Sequence, residues 1–183
     1  CSVTKGGGTA AAASGELTFL MGGDEEAYGR VKPLLRPLAR HFHHLGPVGA
    51  GSVMKLISNH LSGVQTLAIA EALNLARACG FSPETTLAVC NDTVAASYVM
   101  DSIVTERLHN PSGETHFAVK LMGKDHRLAA ELAASQSVSL PFNETALALC
   151  NEMCQNGYGD RDNVSAVEFF ERHKSKGGET RGE

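Results

Sequence analysis

Basic residues are not in surplus in this sequence. Its 183 residues hold 16 Lys and Arg against 20 Asp and Glu, a formal net charge of -4. A nucleic-acid surface needs clustered positive charge, so nucleic acid is not an expected partner. Long hydrophobic runs are missing too: none reaches the roughly 18 apolar residues that span a membrane. A disulfide framework is also missing. Cys1, Cys79, Cys90, Cys150 and Cys154 are odd in number and irregular in spacing. That pattern predicts reduced thiols in an intracellular protein, cytoplasmic or mitochondrial. Cys150 and Cys154 are one helical turn apart, a spacing open to a shared metal. With no histidine pair nearby, they read better as small buried hydrophobes, and no metal site is expected.

What is present is an ordinary globular composition, 43% hydrophobic and 20% charged, enough for one good-sized core. The chain opens on cysteine in "CSVTKGGGT", which does not read as a signal peptide. The expectation is a fragment, or a chain whose upstream part is not included. "ELTFLM" at 16–21 alternates weakly and ends at Gly22-Gly23, predicting a short buried strand. Asp24 then caps a helix with apolar positions at Val31, Leu34, Leu35 and Leu38, kinked or broken by Pro33 and Pro37. "HFHHLGP" predicts another strand. Its histidines, His41, His43 and His44, are too tightly packed for a clear zinc site and read as surface. Residues 1–48 thus read as the tail of an α/β unit.

From residue 49 the character changes. Residues 51–79 contain no proline, and helical periodicity predicts one helix of about 28 residues, roughly 42 Å long. Its alanine-rich stretch "LSGVQTLAIAEALNLA" predicts burial on several sides, as in a bundle centre or a subunit interface. Gly80 ends it, and Ser82-Pro83-Glu84 starts the next helix. Further helices are predicted near 95–106, 120–136, 141–156 and 163–172, with a turn at "PSGE" (111–114). The polar tail 173–183 is expected to be disordered. The class is therefore mainly α: a helical domain over 49–172 with a long central helix, preceded by a short α/β segment.

Three constellations bear on chemistry. In "GAGSVMKLISN" (49–59), Gly51, Lys55 and Asn59 are spaced i, i+4, i+8 and share one stripe. A lysine at a partly desolvated helix start is a usable proton donor or acceptor, and an amide beside it can fix a hydroxyl or carboxylate. Gly49 and Gly51 let another backbone or a ligand come close. The plain alternative is a capped helix with a solvent lysine. In "KGGGT" (5–9), consecutive glycines expose N–H groups that can cradle an anion, or simply form a flexible loop. In "KLMGKDHRLA" (120–129), Lys124 and Asp125 adjoin near a helix start, where a charged pair is ordinarily solvated surface.

"GAGSVMKLISN" resembles the G-x-G-x-x-x-K-x-x-x-N signature of the β-hydroxyacid dehydrogenases. That family includes 3-hydroxyisobutyrate dehydrogenases and tartronate semialdehyde reductases and, more distantly, 6-phosphogluconate dehydrogenase. "GGTAAAASGELTFLMGG" resembles the family stretch after its substrate loop, D-A-P-V-S-G-G. Gly7 and Gly8 match the two glycines, the serine falls on Gly6, and Lys5 lies beside it. Lys124-Asp125 is similar to the family's Lys-Asp pair. "GYGDRDNVSAV" resembles its closing segment, with Asp162 and Ser165-Ala166 in register. The resemblance implies a catalytic lysine at Lys55 and a substrate-binding Asn59 with a Gly6–Gly8 loop. It also implies a cofactor-side pair, Lys124 and Asp125. NAD or NADP is the implied cofactor, and a small 3-hydroxy acid or semialdehyde the substrate, in a homo-oligomer.

The amino-terminal G-x-G-x-x-G turn, where the family binds its dinucleotide, does not occur in these residues. Most of the Rossmann domain is therefore expected to be absent and the 183 residues inactive by themselves. The competing expectation is a catalytically inactive fragment or helical oligomerisation module derived from the same family.

Overall fold

The computed structural model describes residues 1–6, 8–109 and 114–173. Most of these are helical, with one small sheet near the amino terminus. The chain divides into two compact units, Cys1–Leu61 and the residues from Ser62 onward.

The first unit is built on β2 (Leu17–Gly22). Its residues read almost continuously apolar, as a strand flanked on both sides should. Leu17, Phe19, Leu20 and Met21 are all buried. β1 (Ser2–Gly6) pairs with it antiparallel, from Ser2 opposite Gly22 to Gly6 opposite Thr18. β3 (Ala39–His44) pairs with its other edge in parallel, Phe19 opposite Phe42, with a bulge between Leu17 and Thr18. A parallel pair needs a crossover, and α2 (Glu25–Leu35) provides it. Asp24 caps α2 by accepting the Ala27 amide at 2.7 Å. That bond holds the Asp24 carboxyl below its ordinary range. Pro33 lies inside α2, and the helix gives way to a 3-10 turn, Arg36–Leu38, around Pro37.

The strand, broken helix and strand expected before residue 48 are therefore present. Two elements were not expected: β1, and α1 (Gly8–Ser14). β1 runs into, and α1 starts within, the glycine run at 5–9 that reads as a loop.

α3 (Ala50–Ala78) is one helix of 29 residues and runs through both units. Its entry follows Gly49 at φ +97°, and its exit precedes Gly80 at φ +90°, backbone conformations suited to glycine.

The second unit continues with α4 (Pro83–Asn91), capped by the Ser82 hydroxyl accepting the Thr85 amide at 3.2 Å. The helix expected near 95–106 is wound differently. Val99–Thr105 form a π-helix that passes into α5 (Glu106–His109). α6 (Val119–Ser135), α7 (Pro141–Gln155), a 3-10 turn (Asn163–Ser165) and α8 (Ala166–Arg172) follow, close to expectation. Their core includes Leu73, Val104, Met122, Met153 and Phe169. Of the expected turn at 111–114 and tail at 173–183, residues 111–113 and 174–183 lie outside the described residues. Among the described residues no helix is long and apolar enough to cross a membrane.

Candidate functional site

In the first unit, the stripe that opens α3 is partly structural and partly polar. Gly51 is buried, and a Cβ added there would overlap the carbonyl oxygen of Leu20. Of the two uses a bare position offers, close approach of a backbone or of a ligand, Gly51 serves the backbone of β2. The segment before it is pinned as well. The Gly49 amide donates to Ser2 Oγ at 3.0 Å, and that hydroxyl donates to the Gly22 carbonyl at 3.3 Å.

One turn beyond Gly51, Lys55 Nζ donates to Asn59 Oδ1 at 2.7 Å, and both residues are half-buried. An ammonium carries three donors, so one lysine can serve Asn59 and another oxygen together. Accepting from Lys55 turns Oδ1 toward the lysine and makes Nδ2 the donating end of the amide. The pair therefore presents N–H donors of the kind a hydroxyl or carboxylate oxygen accepts. Gly6 ends β1 and Gly8 begins α1; Gly7 lies outside the described residues. A Cβ at Gly6 would meet nothing nearer than the Thr18 carbonyl at 4.0 Å, so packing does not require glycine there.

In the second unit, Lys124 Nζ and Asp125 Oδ1 are 3.0 Å apart. The lysine side chain is half exposed while Asp125 is buried. The helix that carries them, α6, is fixed at its entry by Asp162. That carboxylate accepts the amides of His116 and Phe117, at 2.8 and 3.1 Å, and that of Val164 at 3.1 Å. It also takes Arg107 Nη1 at 3.1 Å. Asp162 is thus a hub joining the α5 end, the α6 entry and the closing segment.

A second buried contact on α6 was not singled out from the sequence. His126 Nδ1 meets Asn143 Oδ1 at 2.8 Å, and Asn143 Nδ2 donates to the His126 carbonyl at 2.9 Å. The signal was available: Met122, His126, Ala129 and Ala133 fall on one helical face, so His126 sits in a core row. The three histidines of β3 are exposed as expected. His44 Nε2 contacts the Gly23 carbonyl at 2.7 Å, and its ring stacks on Tyr28 with centroids 4.6 Å apart. Among the described residues no three His, Cys, Asp or Glu side chains form a metal cluster. Burial pushes the Cys150 thiol up to about 12, so it is a neutral core residue, while Cys154 is exposed.

Comparison with known proteins bears on both units. Residues 49–170 match the family model described as NAD-binding of NADP-dependent 3-hydroxyisobutyrate dehydrogenase. Residues 4–46 match the model of the NAD binding domain of 6-phosphogluconate dehydrogenase. The first unit therefore does carry part of a dinucleotide-binding domain, and the expectation that most of that domain is absent is not confirmed.

An NAD-dependent L-serine dehydrogenase of Pseudomonas aeruginosa is 33% identical over 171 residues, covering 90% of this chain and 57% of its own length. The mitochondrial 3-hydroxyisobutyrate dehydrogenase of Mus musculus is 29% identical over 170 residues, covering 90% and 51%. A crystal structure of 3-hydroxyisobutyrate dehydrogenase from Salmonella typhimurium superposes with a TM-score of 0.83 at 30% identity, covering 92% of this chain and 59% of that one. The chain thus spans about half the length of the curated relatives it matches.

Proposed function

This chain belongs to the NAD(P)-dependent 3-hydroxyisobutyrate dehydrogenase family, and from that premise we propose that it is the lysine-bearing part of a 3-hydroxyacid dehydrogenase. The observation that carries the reading is the Lys55–Asn59 pair, half-buried on α3 inside the matched segment. The substrate is a small 3-hydroxy acid, or the corresponding semialdehyde in the reverse direction. When bound, NAD or NADP supplies the hydride acceptor or donor.

The chain's own residues do the rest. On reduction the Lys55 ammonium stabilises the developing alkoxide and gives it a proton, and on oxidation the neutral amine takes that hydroxyl proton back. Asn59 holds the lysine and orients the substrate oxygen. The Gly6–Gly8 loop receives the substrate carboxylate, with unencumbered space at Gly6 in support. Lys124, paired with Asp125 and half exposed, offers an ammonium donor on the cofactor side. The parallel β2–α2–β3 crossover is the kind of unit from which dinucleotide-binding sheets are built. The glycine turn that holds the pyrophosphate in such sheets is not among these residues, so the isolated chain should bind the dinucleotide weakly.

A homo-oligomer is part of the same reading. Met54, Ile57 and Leu61 are exposed along the first turns of α3, an apolar stripe suited to a second copy. Sedimentation as a monomer would remove that part alone.

The test is a panel of 3-hydroxy acids, including 3-hydroxyisobutyrate and L-serine, with NAD and NADP, on the full-length protein. Turnover of at least one member is expected. A folded, dinucleotide-binding protein that turns over none would favour the non-catalytic module.

A further inference from the structure

His126 lies outside the roles assigned above, and it is 1% exposed. Its surroundings define its state. Asn143, itself 0% exposed, makes two bonds to this one residue. The amide Nδ2 donates to the His126 backbone carbonyl at 2.9 Å, which fixes Oδ1 as the end that faces the ring. Oδ1 can only accept, so the ring nitrogen 2.8 Å away, Nδ1, carries the proton. The other edge of the ring lies on the backbone of α3. A Cβ added at Gly63 would overlap Nε2, and it would stand 3.0 Å from Cε1 and 3.4 Å from Met122 Cγ. His126 therefore keys α6 to α7 by one ring and one main-chain hydrogen bond, and its ring keys α6 to α3 by contact with a bare backbone.

The residues just before it are Lys124 and Asp125, with Nζ and Oδ1 3.0 Å apart. Upstream, the entry of α6 is tied to the closing segment. The Val119 amide donates to the Arg161 carbonyl and the Lys120 amide to the Gly159 carbonyl, each at 2.9 Å. The Lys124–Asp125 turn is thus fixed on its amino-terminal side by main-chain bonds. On its carboxyl-terminal side it is fixed by His126.

We propose that His126, locked by Asn143 and seated on Gly63, is a positioning residue that sets where the Lys124 ammonium stands for the nicotinamide cofactor. This rests on the cofactor-side role of Lys124 proposed above. Freed of its lock, the α6 turn can rotate or shift by a fraction of an ångström, and a donor at the end of a long side chain moves further.

The experiment is steady-state kinetics on the full-length protein with Lys124→Ala, His126→Leu, Asn143→Leu and the double variant His126→Leu/Asn143→Leu. Leucine keeps apolar volume and removes the polar lock. KM for the dinucleotide should rise about tenfold in each of the two single lock variants, with KM for the hydroxy acid little changed. The double variant should be no worse than either single one, because both remove the same lock. His126→Gln, which keeps an N–H for Asn143, should recover part of the loss and carries the test if the leucine variants do not fold.

An unchanged dinucleotide KM in the lock variants, where Lys124→Ala raises it, overturns the proposal and spares the role of Lys124. An unchanged KM in Lys124→Ala removes that role and the proposal with it. Nitrogen-15 NMR of the wild type gives an independent check: a proton on Nε2 instead of Nδ1 would overturn the lock itself.

Discussion

Lys55 and Asn59 stand one turn apart on α3, joined by a 2.7 Å bond from ammonium to amide oxygen. The amide does not merely neighbour the lysine; it limits where Nζ can go. Lys55→Ala in the full-length protein should therefore lower kcat by at least about 10²-fold, the low end for a general acid–base group. KM for the hydroxy acid should move less, because the charge matters most as it develops in the transition state. Asn59→Ala should raise KM as well, since an orienting amide also holds the ground state. Steady-state kinetics of both variants decide the matter, and wild-type kcat in Lys55→Ala would end the catalytic role.

Asp162 should matter to folding more than to catalysis. Replacing it by alanine removes the charged partner of Arg107, which keeps Asn163 Oδ1, and leaves the amides of His116, Phe117 and Val164 without their acceptor. A loss of about 2–4 kcal/mol is expected in urea unfolding. Asp162→Asn keeps one oxygen acceptor and should lose less. Equal losses in the two variants would show that the charge, and not the acceptor geometry, is what counts.

Glu168 gives the second unit an acid sensitivity. Its carboxylate accepts from Arg161 Nη1 at 3.1 Å, is ion-paired to Arg172 at 2.9 Å, and is held below its ordinary value chiefly by the Arg161 bond. A depressed folded pKa stabilises most where the unfolded group is already ionised. The contribution is thus complete above the ordinary glutamate value of about 4.3 and disappears as pH falls through the lower folded value. Unfolding free energy measured between about pH 5 and about pH 3 should fall less steeply in Glu168→Gln than in the wild type.

The thiols should separate into two populations. Cys1, Cys79 and Cys154 are exposed, whereas Cys150 is buried with its thiol pushed up to about 12. An aromatic disulfide reagent at mildly alkaline pH should titrate the exposed group at once and Cys150 only after denaturant is added. Prompt labelling of Cys150 in the folded protein would contradict the packing around it.

Much of this structure was legible in advance, for identifiable reasons. α3 could be read because its apolar residues repeat with helical spacing over many turns and because Gly80 ends it. Asp24 and Ser82 announced their helices as capping residues. β1 was not legible. Ser-Val-Thr-Lys-Gly offers one strongly apolar side chain, Val3, and that side chain is exposed. The strand is held by its main-chain ladder to β2, and such a ladder leaves no signature in side-chain pattern.

α1 was hidden differently. Alanine favours helix strongly, but seven residues give no usable periodicity. The π winding of Val99–Thr105 was also invisible, because one added residue per turn is a property of the backbone path. At the candidate site, Lys55, Asn59 and Lys124-Asp125 were found by type and spacing. The contact of Gly51 with Leu20 and that of Asn143 with His126 join segments distant in sequence, and one chain read alone does not show which segments will meet.

The seat of His126 on Gly63 also constrains how this chain can change over generations. The ring fills the volume that any side chain at position 63 would need, and its bond to Asn143 Oδ1 keeps it from swinging aside. The two sites are therefore not free to drift separately. A lineage that acquires alanine at 63 must first have shortened the residue at 126, whereas the reverse order passes through a clash. History at these positions has a direction, set by which of two atoms arrived first.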